Sequence, residues 1–115
     1  MPEDVCEVVI TAPDPDWLAA LTRDLVELRL AACGHILPAI RAIYRWDEAM
    51  HDDPEARVAL HTRESLVDPI TAHVREHHPY VVPCVISVSI ASGNPDYLQW
   101  VIRETTNPAL PNRFR

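Results

Sequence analysis

Lysine is missing from this chain of 115 residues; all ten basic residues are arginine. Without a lysine there is no amine for a Schiff base and no P-loop cation for a nucleotide phosphate, so both chemistries are excluded. Glycine is almost as scarce, with two residues against eleven prolines, a balance that favours ordered turns over flexible linkers. No stretch approaches the roughly 20 apolar residues of a membrane span. The first residues are acidic and the apolar run after them is too short for a signal peptide. A soluble, cytoplasmic protein without a membrane partner is expected. A net charge of −7 with no basic run argues against nucleic acid as a partner. Cys6, Cys33 and Cys84 form no CxxC pair, and an odd count suits no closed disulfide framework. They read as reduced structural thiols, with Cys33 and Cys84 buried and unreactive among apolar neighbours.

What is present fits one domain over residues 1–115, with an ordered core over about 5–105 and an irregular tail at 106–115. "VCEVVITA" (5–12) is β-branched and reads as a buried strand. Asp14 or Asp16 then caps a helix whose Leu18, Leu21, Leu25 and Leu28 form one apolar stripe, and Gly34 is placed to stop it. In "HILPAIRAIYRW" (35–46), Ile36, Ile40, Ala42, Tyr44 and Trp46 alternate, and Pro38 requires a bulge or an edge. After a polar turn, "ARVALHT" (56–62) returns, so the pair is a hairpin with a loop longer than the tightest type. Asp68 and Pro69 fit the start of a second helix, which Pro79 ends near His78; Ser65 offers an earlier start. "CVISVSIA" (84–91) is a last strand, and Asn94 or Pro95 opens a final short helix. The order is strand, helix, strand, strand, helix, strand, helix. Two such units specify an α+β, ferredoxin-like split βαβ sandwich, an antiparallel sheet with helices on one face.

"ITAP" (10–13), "RLAAC" (29–33), "ILPAIRAIYRW" (36–46), "HPY" followed by "VP" (78–83) and "GNPDYLQW" (93–100) stand in an order and spacing that resembles the CutA divalent-cation tolerance proteins. The resemblance spans about residues 5–105. It implies a ferredoxin-like subunit in a tight homotrimer, with a role linked to copper and other divalent metals. Four departures stand out. Where the family commonly has glutamate, this chain has Val81 and Cys84. His61 stands where many members carry lysine, and His35 where asparagine is common.

Several constellations can carry chemistry. His77 and His78 sit at a helix end broken by Pro79, where the backbone is free to turn both imidazoles onto one ion. The resemblance favours these two as ligands for copper. Two imidazoles prefer Cu(II), or another divalent transition metal, to Mg(II) or Ca(II), so weak binding of Cu(II) is the expectation. Cys33 and His35 point to one face of a strand but lack a local third group to orient a nucleophile and base. No catalytic residue is expected, and the protein is read as a non-enzyme. Tyr44, Trp46, Tyr97 and Trp100 serve core and interface packing. The resemblance places them, with Cys33, His61 and Tyr80, close to a cleft between subunits, which a small ligand would occupy if the protein is instead a trimeric sensor or adaptor. Asp47, Glu48, Asp52, Asp53 and Glu55, around His51, lack the glycine-bearing spacing of a calcium loop and read as a solvated acidic turn.

Overall fold

A computed structural model describes residues 4–105 of the protein; the expected irregular tail at 106–115 lies outside the described residues. The elements run β1 (Val5–Ala12), α1 (Pro15–Glu27), β2 (Cys33–Trp46), β3 (Ala49–Arg63), a 3-10 turn (Glu64–Leu66), α2 (Val67–His77), β4 (Val85–Ser89) and α3 (Pro95–Glu104). The four strands form one sheet in the order β2-β3-β1-β4 with every pairing antiparallel. This is the split βαβ sandwich that the element order specifies.

Alternation in β1 builds the main core. Cys6, Val8, Ile10 and Ala12 face α1 and α2 and meet Leu18, Leu21, Leu25, Ile70 and Val74, together with Ala56, Val58 and Leu60 from β3. Leu25 is fully buried there, so its truncation to alanine costs about 2–5 kcal/mol. The intervening residues of β1 point to the opposite face. Over one end of that face lies α3, whose Val101 packs against Val5 and Ala32, with Tyr97, Leu98, Trp100 and Ile102 around them. Two side-chain caps start the outer helices. Asp14 accepts from the Asp16 N–H at 3.0 Å, and Asn94 accepts from the Asp96 N–H at 3.1 Å, each with proline next to the cap.

Several boundaries differ from expectation for identifiable reasons. Leu28 is the C-cap of α1 and is half-exposed, so the apolar stripe ends at Leu25. Arg29, not Gly34, takes the left-handed position that ends the helix, at φ 58°. The Leu30 N–H donates to the Leu25 carbonyl at 2.9 Å and the Arg29 N–H to the Val26 carbonyl at 3.0 Å, the bond pair of a Schellman turn. Gly34 instead lies within β2, where a Cβ would come within 2.5 Å of Thr22 Cγ2; it lets α1 sit close to the sheet. Asp68 is in the first turn of α2 and does not cap it, because the helix starts earlier, at Val67. Pro69 is then the third helical residue, where its missing N–H leaves no bond unmade.

The hairpin differs most. Strand β3 starts at Ala49, and a two-residue turn with positive φ at Asp47 and Glu48 joins Trp46 to Ala49. That is the tight primed turn, not a longer loop. The register shifts between Leu37 and Ile40, the bulge that Pro38 requires. It divides the alternating set, because Ile36 packs on the main core while Ile40, Ala42, Tyr44 and Trp46 pair with Glu55, Asp53, His51 and Ala49. Beyond Ala12, β3 has only β2 as a partner among the described residues, so residues 38–55 form a two-stranded arm. The narrower last strand, Val85–Ser89, leaves Ile86 and Val88 more than half exposed at the sheet's edge.

Candidate functional site

Sheet register assembles a cluster of donor atoms under α3. Glu7 on β1 pairs with His61 on β3, and His61 pairs with Cys33 on β2. The three side chains form a row across one face, and His35, two residues after Cys33, shares it. Donor atoms of Cys33, His35 and His61 all lie within 4.8 Å of one another. Cys33 Sγ stands 3.8 Å from His61 Nδ1, and the rings of His35 and His61 meet edge to face with centroids 5.3 Å apart.

A carboxylate can only accept, so His61 Nε2–H donates to Glu7 Oε2 at 2.9 Å and leaves the Nδ1 lone pair facing Cys33. The Tyr97 hydroxyl, brought down by α3, donates to that Nδ1 and lies 3.3 Å from Cys33 Sγ. Burial, then the neighbouring thiol, pushes the Tyr97 phenol well above its ordinary range, so it stays a donor. A sulfur and two imidazole nitrogens suit a borderline transition ion, not Mg(II) or Ca(II).

A second cluster lies on the hairpin arm. Tyr80 O–H donates to Glu55 Oε2 at 2.8 Å, and Tyr44 O–H donates to Asp53 Oδ2 at 2.6 Å. Burial and the Glu55 carboxylate raise the Tyr80 phenol, and the bond to Asp53 pushes Tyr44 up to about 12. Tyr44, Trp46, Tyr80 and Cys84 line a groove of about 510 Å³ with Glu55 in its wall. Of the acidic residues expected in a solvated turn, Asp47 and Glu48 form that exposed turn, whereas Asp52, Asp53 and Glu55 lie on β3 and have partners. Asp52 binds Arg41 through two bonds of 2.8 and 2.7 Å, and Glu55 is buried at 7% exposure.

The seven residues expected at a cleft therefore fall into two groups. Cys33 and His61 lie under α3, which carries Tyr97 and Trp100, tilted against each other; Tyr44, Trp46 and Tyr80 line the groove. His77 and His78 do not converge. His78 is buried and its Nε2–H donates to the Thr11 carbonyl, while its Nδ1 accepts the Tyr80 N–H. His77 is exposed, donates to the His73 carbonyl at 2.8 Å and stacks on the His73 ring. Cys84 is exposed and Cys33 half-buried; of the three thiols only Cys6 is buried, where desolvation raises it. The missing third group beside Cys33 and His35 is Glu7, acting through His61. A carboxylate within an apolar strand was the signal for it, but its partner is visible only once the register is known.

The chain matches the family model described as CutA1 divalent ion tolerance protein over residues 6–104. It is 37% identical over 100 residues to the chloroplastic Protein CutA of Arabidopsis thaliana, covering 87% of this chain and 55% of the relative. It is 37% identical over 99 residues to the divalent-cation tolerance protein CutA of Thermus thermophilus, covering 86% of this chain and 95% of that one. The crystal structure of CutA1 from Oryza sativa superposes with a TM-score of 0.86 at 35% identity, covering 92% of this chain and 96% of that structure's chain. The chain spans little more than half the length of the plant relative.

Proposed function

Because the chain belongs to the CutA1 divalent ion tolerance family, we propose that it binds a divalent transition metal ion, Cu(II) foremost, weakly and without catalysing a reaction on it. One observation carries this reading: a thiol and two imidazoles held within 4.8 Å of one another. Copper leads the divalent affinity order for such nitrogen and sulfur donors. Binding is weak because the Tyr97 hydroxyl already occupies His61 Nδ1 and must leave first.

Association into a homotrimer belongs to the same proposal. Ile86 and Val88 on the edge strand, with Val81 and Val82 before it, are an exposed apolar run of the kind proteins cover, and closed cyclic symmetry covers it without filaments. A reducing cytoplasm accommodates its free thiols, and no nucleic-acid partner is part of this reading. Thermal denaturation with Cu(II), Zn(II), Mg(II) and Ca(II) tests it, because a ligand of the native state raises the midpoint. Stabilisation by Cu(II) and Zn(II) but not by the hard ions is expected. An equal response to all four, or to none, overturns it. Light scattering at micromolar concentration checks the trimer.

The groove on the hairpin arm favours a second reading, a small-molecule sensor or adaptor whose ligand lies against Tyr44, Trp46 and Tyr80. Stabilisation by nucleotides and not by metals would select it.

A further inference from the structure

We propose that the ion is held by Cys33 Sγ, His35 and His61 Nδ1 as a thiolate-containing His2Cys centre, positioned by Glu7 and closed on its fourth side by Tyr97. This inference rests on the metal-binding reading above and adds the coordination chemistry to it. Metal–sulfur and metal–nitrogen distances of about 2.3 and 2.0 Å at a tetrahedral centre put sulfur and nitrogen roughly 3.5 Å apart. Cys33 Sγ and His61 Nδ1 are already 3.8 Å apart, so these two donors need to close by only a few tenths of an ångström. His35 is exposed, free to swing its ring the remaining distance.

On the His61 side the orienting partner is already in place. The ring's Nε2–H is held by Glu7 at 2.9 Å, the carboxylate–histidine arrangement that fixes the tautomer and makes the other nitrogen a better ligand. As the Sγ–metal bond forms, the thiol proton leaves to solvent, and the Tyr97 O–H···Nδ1 bond gives way to the Nδ1–metal bond. The hydroxyl oxygen stays beside the ion as a weak fourth donor. Two imidazoles, one thiolate and a weak axial oxygen form a set that suits copper.

The coordination is read by spectroscopy on the intact protein. Cu(II), mixed anaerobically, is expected to give an intense thiolate-to-copper charge-transfer band in the visible, and Co(II), which does not oxidise thiols, the strong visible bands of a tetrahedral thiolate site. Cys33→Ser abolishes both charge-transfer signatures, and His35→Asn, at an exposed position, lowers the affinity on the order of 10-fold or more. His77→Ala leaves spectra and affinity unchanged. Thermal denaturation of each variant without metal confirms that it is folded. Cu(II) bound with only weak nitrogen-type absorption overturns the thiolate centre but leaves the metal-binding reading intact. A charge-transfer band that survives in Cys33→Ser also overturns the inference, since another thiol would be the ligand. Failure of equilibrium dialysis to detect any bound divalent ion overturns both.

Discussion

The cluster under α3 and the cluster on the hairpin arm are built from similar parts. Each pairs at least one tyrosine hydroxyl with a neighbouring acceptor, each has a carboxylate, and the two lie about 20 Å apart along β3, from Glu55 to His61, at the rise of an extended strand. They differ in what their hydrogen bonds commit. On the arm, phenols donate to carboxylates, Tyr80 to Glu55 and Tyr44 to Asp53. Every partner there is satisfied by a group that cannot be a better ligand for a soft ion. Under α3 the tyrosine donates to an imidazole nitrogen beside a thiol. That lone pair is exchangeable, and in the proposed centre a metal ion competes for it. The first arrangement locks a surface; the second holds a site ready.

The largest expected effect comes from removing the exchangeable lone pair while keeping a donor to Glu7. His61→Lys presents an ammonium that still pairs with Glu7 and donates toward Tyr97, but has no lone pair at neutral pH. Its affinity for Cu(II) should fall on the order of 100-fold or more, beyond the loss typical of outer-shell changes. Near-wild-type copper affinity of a folded His61→Lys protein would remove His61 from the site.

Glu7→Gln comes next. The amide still accepts from Nε2–H but no longer supplies the charge that strengthens the imidazole as a ligand. A drop of roughly 10- to 100-fold in metal affinity is expected, with the apo protein's unfolding midpoint little changed. Full affinity in Glu7→Gln would reduce the Glu7–His61 hydrogen bond to a purely structural contact.

The arm gives the converse result. Tyr80→Phe removes the donor to the buried Glu55 carboxylate and should cost about 1 kcal/mol of stability in denaturant unfolding, the low end for a buried acceptor left unpaired. Metal affinity should not move. A Tyr80→Phe protein with weakened copper binding would join the two clusters and erase the distinction between them.

The same contrast explains what was legible in the sequence. Helices α1 and α3 announce themselves through leucine spacing and Asx–Pro caps, and β1 and β4 through β-branched alternation. The arm did not, because Asp52, Asp53 and Glu55 look like a solvated turn until Arg41, Tyr44 and Tyr80 are seen to meet them. Local pattern also misled at Gly34. The backbone stress falls on Arg29, and the glycine answers a close approach by Thr22 from another element. The site's residues Cys33, His61 and Tyr97 were recognisable by type. Their assembly was not, since one residue of slip in register would turn His61 away from Cys33 and Glu7.

The smallest effect appears only in alkali, and it separates the clusters by the cause of their shifted phenols. In an unfolded chain all three tyrosines ionise near pH 10. In the native protein the hydrogen bond to Asp53 pushes Tyr44 up to about 12, whereas burial is the leading cause for Tyr80 and Tyr97. Below pH 10 both states keep their phenolic protons, and these groups contribute no pH dependence. Above pH 10 the unfolded chain releases protons that the native state retains, so stability falls as pH rises. For Tyr44 that window runs from about 10 to about 12. Asp53→Asn removes the charge that holds the Tyr44 proton. One tyrosine should then titrate closer to its ordinary value, by tyrosinate absorbance, while the other two remain late. If Asp53→Asn instead left all three late, burial alone would govern the arm, and the two clusters would share one physical basis.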